Sequence, residues 1–133
     1  MSADGAGYVL VVDDIAEQRD IYETLFTHAG LRVLEANDGE TALSLARAHL
    51  PDVMLLDVCL PDLDGYEVIR RLKADERTRR ISIVLLTACA LPSDGQASAA
   101  DYDEFLVKPI QPREALAAVQ RQLRPAKAAG RAP

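Results

Sequence analysis

The feature that most constrains this chain is a fivefold alternation of short apolar runs with segments of helical period. Tyr8–Val12 (YVLVV), Arg32–Ala36 (RVLEA), Asp52–Leu56 (DVMLL), Ile81–Leu86 (ISIVLL) and Asp103–Val107 (DEFLV) each read as a strand. After the first, Ile15, Tyr22, Leu25, Phe26 and Ala29 recur at helical spacing, and Gly30 supplies the stop. Ala42, Leu45, Ala46 and His49 mark a second helix ended by Pro51, and Gly65–Ala74 places Tyr66 and Ile69 on a third. Pro112 suits the first turn of a last helix, with Leu116, Val119 and Leu123 along one face. The fourth helical segment is the weak one. Ser93–Tyr102 (SDGQASAADY) contains a glycine and has only alanines to bury, which predicts a short or irregular helix. Five alternations imply an α/β fold, a parallel sheet covered on both faces by five helices. Ligands of such sheets bind outside the carboxyl ends of the strands, where the strand order reverses.

That rule directs attention to the polar residues interrupting the strands. The first strand ends in Asp13-Asp14, the third in Asp57, the fourth in Thr87 and the fifth in Lys108-Pro109. In one parallel sheet these ends share an edge, so three carboxylates, a hydroxyl and an ammonium converge. Asp57 closes the run Val53-Met54-Leu55-Leu56, apolar at every position, where an unpartnered carboxylate is expensive. Three close carboxylates repel one another unless a cation sits among them. Oxygen ligands select a hard ion, and an open site that keeps waters and phosphate oxygens suits Mg2+. With Mg2+ and Lys108 compensating its charge, Asp57 can act as a nucleophile toward phosphorus and form an acyl phosphate. Thr87 can donate a hydrogen bond to the phosphoryl group, whose transfer needs mainly positioning and positive charge.

Charge and composition bound the partners. A net charge of -6 argues against a nucleic-acid surface, and Arg70-Arg71 through Arg77 and Arg79-Arg80 alternate with Asp75 and Glu76 as on a solvated face. No run approaches the ~18 apolar residues of a membrane span. Two cysteines, Cys59 and Cys89, give neither a disulfide framework nor a metal spacing. With no export signal in MSADGAG, the expectation is a cytoplasmic protein binding neither nucleic acid nor membrane. Residues 1–6 and 125–133 read as flexible tails around one domain at 7–124.

The chain resembles a response-regulator receiver domain of two-component signalling, of the stand-alone, chemotaxis-regulator-like kind or cut from a longer protein. The likeness covers residues 7–124 and rests on Val11-Val12-Asp13-Asp14, Leu55-Leu56-Asp57, Pro61-Asp62-Leu63-Asp64-Gly65, Leu86-Thr87-Ala88 and Val107-Lys108-Pro109. The resemblance implies a doubly wound, five-stranded sheet in order 2-1-3-4-5. It also implies Asp57 as phosphoacceptor, with Mg2+ bound by Asp13, Asp14, Asp57 and the backbone carbonyl of Cys59. Thr87 and Phe105 correspond to the switch pair, and Lys108 to the phosphate-contacting lysine before a cis peptide bond to Pro109. The implied partners are a histidine kinase or histidine phosphotransfer protein and a downstream protein target. That target is expected on the face formed by Ser93–Tyr102, the fifth strand and the last helix. The chain departs from the pattern at Asp101-Tyr102-Asp103-Glu104, which is about one residue short, and in carrying Cys59 and Cys89 beside the site.

Plainer readings stand beside these. Asp13-Asp14 can cap the first helix, Asp62 and Asp64 can form the turn before Gly65, and His28 and His49 can face helix ends. The cysteines read most simply as small reduced side chains. A competing function is an aspartyl phosphatase of the haloacid dehalogenase type. It needs a second acid where Cys59 stands, and ranks well below a signalling module that is not a turnover enzyme. A nucleotide hydrolase would need a GxxxxGK[ST] loop, which is missing.

Overall fold

The computed structural model describes residues 7–88 and 102–129. Five strands, β1 (Tyr8–Val12), β2 (Arg32–Ala36), β3 (Val53–Asp57), β4 (Ser82–Thr87) and β5 (Glu104–Val107), form one sheet in order β2-β1-β3-β4-β5. Every neighbouring pair is parallel. Four helices are present among the described residues: α1 (Ala16–His28), α2 (Gly39–His49), α3 (Gly65–Ala74) and α4 (Pro112–Ala129). The fold is the doubly wound, flavodoxin-like one. Of the segment expected to form a short helix, Ser93–Tyr102, all but Tyr102 lies outside the described residues, as does Cys89. The last helix continues through Ala129, past residue 124.

Alternation of side chains along the strands builds two cores. Leu10, Val12, Met54, Leu56, Ile83 and Leu85 face one side, against Leu43 of α2 and Val68, Ile69 and Leu72 of α3. Val9, Val11, Leu55, Val84 and Leu86 face the other, against Tyr22 and Phe26 of α1 and Ala115, Ala118 and Val119 of α4. Burial on both faces explains why β3 and β4 read as unbroken apolar runs rather than alternating ones. Ile15, placed on the helical face by its spacing, is instead 48% exposed, because it precedes the helix.

Several boundaries move by one residue, with consequences for chemistry. The third and fourth strands start and end one position later than the apolar runs, so Asp57 and Thr87 are the final residues of β3 and β4. Ladder pairing carries them in: Asp57 pairs with Leu86 and Thr87 with Val107. Helix ends follow local chemistry. Gly30 takes a φ of 91°, which a glycine adopts freely, after α1; Asp38 and Asp64 cap α2 and α3 by accepting from the amides of Thr41 and Glu67. The capping reading of Asp13-Asp14 is corrected. Ile15 occupies the N-cap of α1 without a side-chain bond, and the Asp13 carboxylate accepts instead from the Ile15 amide, before the helix begins.

Candidate functional site

The chain leaves β1 for β2 on one side and returns to β3 on the other, so the order reverses between β1 and β3. Asp13, just past β1, and Asp57, at the end of β3, flank that crevice. Both are buried, at 1% and 4% exposure, while Asp14 is exposed. One oxygen from each of the three carboxylates lies within 4.8 Å of the other two. The clustering expected from the strand ends is present.

Partners are unequally shared within the cluster. The Asp57 Oδ2 atom accepts from Lys108 Nζ at 2.7 Å, and its Oδ1 accepts from the Cys59 amide at 2.9 Å. Asp13 Oδ1 accepts from the Ile15 amide at 2.9 Å, but its Oδ2 is buried with no hydrogen-bond partner among the described residues. Burial pushes the Asp13 carboxyl above the usual carboxylate range, and the charges of Asp57 and Asp14 push the same way. The Ile15 amide and Lys108 only partly oppose them. For Lys108, burial favours the neutral amine, yet its hydrogen bond and charge pairing with Asp57, helped by Asp13, win and raise it. The Lys108 ammonium thus acts on Asp57 and Asp13, and one buried oxygen of Asp13 is left over among the described residues. An all-oxygen cluster with an orphaned acceptor fits a hard divalent cation.

At the neighbouring strand ends, Thr87 is fully buried and its carbonyl accepts from the Lys108 amide at 2.7 Å, joining β4 to the lysine. The Lys108–Pro109 bond is cis. Phe105 pairs with Leu85, two residues before Thr87, so Thr87 and Phe105 project from the same face of adjacent strands as diagonal neighbours. Half-buried, Phe105 packs on the α2–α3 side of the sheet with its ring centroid 6.0 Å from that of Tyr102.

Supporting residues escaped the sequence reading. Arg19 of α1 donates to the Asp13 carbonyl at 2.7 Å and to Glu35 at 3.2 Å, holding the acidic turn against β2. Gly65 closes the β3–α3 loop: its amide donates to the Val58 carbonyl at 2.8 Å, and a Cβ there would meet the Val58 Cα at 2.8 Å. Asp62, expected only to shape a turn, reaches across to α2. Cys59 is exposed, and its amide donates to Asp57. His28 and His49 are exposed near the ends of α1 and α2, away from the acidic cluster. No helix among the described residues is long and apolar enough to cross a membrane.

Comparisons with known proteins agree with this geometry. Residues 9–120 match the family model of the response regulator receiver domain. Over 103 residues the chain is 44% identical to response regulator PleD of Caulobacter vibrioides, a match covering 77% of this chain and 23% of that protein. It is 39% identical over 117 residues to the probable transcriptional regulator ycf27 of Guillardia theta, covering 87% of this chain and 45% of the relative. The chain therefore spans less than half the length of these relatives. Among solved structures, the receiver domain of the sensor histidine kinase PA1611 of Pseudomonas aeruginosa superposes with a TM-score of 0.78 at 32% identity. That match covers 90% of this chain and 98% of the other, which holds a magnesium ion in its active-site cleft. Family model, relatives and superposition converge with the strand-end cluster on one conclusion: the chain belongs to the response regulator receiver domain family, the phosphorylation-dependent signalling module of two-component systems.

Proposed function

We propose that Asp57 accepts a phosphoryl group from a histidine kinase or histidine phosphotransfer protein, and that the acyl phosphate alters binding to a downstream protein. The observation that carries this reading is the Asp57 carboxylate itself, buried at the carboxyl edge beside two further acids and 2.7 Å from Lys108. A carboxylate oxygen forms the new bond to phosphorus as the phosphorus–nitrogen bond of the donor breaks, and the imidazole leaves with the electron pair. The Cys59 amide and Lys108 hold the nucleophile in one orientation before attack. Lys108 then faces a phosphoryl oxygen in place of the carboxylate oxygen it has now, and the Thr87 hydroxyl is a donor at the neighbouring strand end.

Asp13, Asp14, Asp57 and the Cys59 carbonyl would hold Mg2+, which supplies positive charge to the transferring phosphoryl group. Arg19 fixes the turn bearing the first two acids. The output route runs from Thr87 to its diagonal neighbour Phe105, and onward to the face of β5 and α4. Phe105 lacks a hydroxyl, so it switches by depth of burial alone. Partners and a cytoplasmic location follow from this chemistry: the donor is a phosphohistidine protein and the reader a protein surface, with neither nucleic acid nor membrane contacted by the domain itself. Transfer to Asp57 and slow hydrolysis would be self-catalysed, without turnover of a separate substrate.

Acetyl phosphate with Mg2+ tests this. One base-labile phosphate per chain is expected, with labelling and Mg2+ affinity both reduced in Asp14→Ala. Inorganic phosphate released faster than the isolated phosphoprotein decays would instead favour the phosphatase reading, and an unchanged Mg2+ affinity in Asp14→Ala would remove that acid from the metal site.

A further inference from the structure

The loop between β3 and α3 carries Cys59, whose amide already orients Asp57. Its base is closed by the bond from Gly65 to Val58. Its far end is fastened by Asp62. One oxygen of this carboxylate accepts from the Gly39 amide at 2.8 Å and from the Leu63 amide at 2.8 Å, and the other accepts from the Glu40 amide at 2.9 Å. Gly39 and Glu40 are the first two residues of α2, whose amides lack intrahelical acceptors. The third, Thr41, is taken by Asp38. Two carboxylates thus complete one helix end, one local and one from 23 positions along the chain.

A second observation shows that the contact is built into the backbone. A Cβ on Gly39 would lie 2.9 Å from the Cβ of Leu63 and 3.1 Å from Val68 Cγ2, so only glycine lets the loop approach this closely. The three amides also hold the Asp62 carboxyl below the usual carboxylate range, the Gly39 amide most of all, so the clamp persists in its ionised form.

We infer that Asp62 is a positioning residue for the phosphorylation site: by clamping the loop to α2, it sets where the Cys59 amide and carbonyl stand relative to Asp57. A helix cap alone would affect stability only. A clamp on this loop also affects the site, because Cys59 lies three residues from Asp62 in a closed loop. The inference rests on the proposed Mg2+ and phosphoryl chemistry, but its structural half can be read without either.

The test compares Asp62→Ala with Asp38→Ala, which removes the other cap of the same helix end without touching the loop. In metal-free protein, Asp62→Ala is expected to speed amide exchange at Cys59, whereas Asp38→Ala speeds it only in α2. Titrated with Mg2+, Asp62→Ala should bind about tenfold more weakly, the scale of losing a residue that orients a ligand. Asp38→Ala should stay within about twofold of the parent. Asp62→Asn keeps one acceptor and should fall between, and it replaces the alanine variant if that one does not fold. Unchanged exchange at Cys59 in Asp62→Ala, or equal losses in both variants, overturns the inference. Faster Cys59 exchange in a protein whose parent binds no Mg2+ upholds the clamp and refutes the metal site instead.

Discussion

Lys108 Nζ lies 2.7 Å from Asp57 Oδ2, joining the ends of two strands that are not neighbours, β3 and β5, across β4. The pair is more than a tether. It brings a positive charge into contact with a cluster of three acids, and the lysine that neutralises the nucleophile now is placed to face phosphate later.

Lys108→Ala should therefore separate three properties. In metal-free buffer the acids lose their counter-charge, and stability should drop by about 1–3 kcal/mol, the scale for a buried charged group deprived of a partner. Added Mg2+ should restore much of that. Labelling at Asp57 should persist while the conformational response is lost. Urea denaturation with and without Mg2+, together with amide exchange of the labelled protein, checks all three; a labelled variant that responds like the parent would exclude Lys108 from the switch.

Gly65→Ala should cost about 1–3 kcal/mol, because the new methyl meets backbone atoms, Val58 Cα at 2.8 Å and the Asp57 carbonyl oxygen at 3.0 Å. Displacing that loop moves Cys59, so labelling by acetyl phosphate should slow as well. Denaturation midpoints and labelling rates measured side by side test this, and a stable variant labelling at the parent rate would contradict it.

Glu104 of β5 accepts from Arg121 of α4 at 2.6 Å and from Gln122 at 2.8 Å. The Arg121 guanidinium chiefly, with Gln122, holds its carboxyl below the usual range. A depressed carboxylate contributes stability that is present above its unfolded pKa and is lost as pH falls through the folded one. Glu104→Gln should cost about 0.5–1 kcal/mol at pH 7, the scale of an ion pair whose arginine is exposed, and the difference should begin to shrink as pH falls below about 4 and close once the folded carboxyl is protonated. Thermal denaturation across that range checks the sign. A gap that widens in acid would be the wrong one.

Much of this was legible in the chain. Short runs of five or six residues located every strand to within one position; the central strands β1, β3 and β4 read as apolar because they are buried on both faces, and the half-exposed edge strands β2 and β5 keep charged residues among their apolar ones. The acids, hydroxyl and lysine stood out for the same reason, as polar residues at the ends of such runs. What stayed hidden was long-range and polar. Nothing local to Asp62 says that it reaches Gly39, nothing local to Arg19 says that it grips the Asp13 carbonyl, and the Glu104–Arg121 pair depends on how α4 lies on β5. Asp13-Asp14 shows why a local rule has to be weighed against the strand ends. A local capping rule applied to it, but the tertiary cluster uses it otherwise.

Phe105 should transmit the signal through burial. Beryllofluoride with Mg2+, a phosphoryl mimic, should change amide exchange in β5 as well as in the loops touching Asp57. Phe105→Ala should confine the change to those loops. Exchange in β5 that is indifferent to the mimic in the parent protein would place the output elsewhere.

The central claim is that Asp57 takes the phosphoryl group, and mapping the label after acetyl phosphate treatment with Mg2+ tests it most directly. The expected result is one phosphate per chain on the peptide holding Asp57, removed by base and absent in Asp57→Asn, whose amide is a poor nucleophile. Stoichiometric labelling of Asp57→Asn, with the phosphate mapped to another acid such as Asp13 or Asp14, would contradict it.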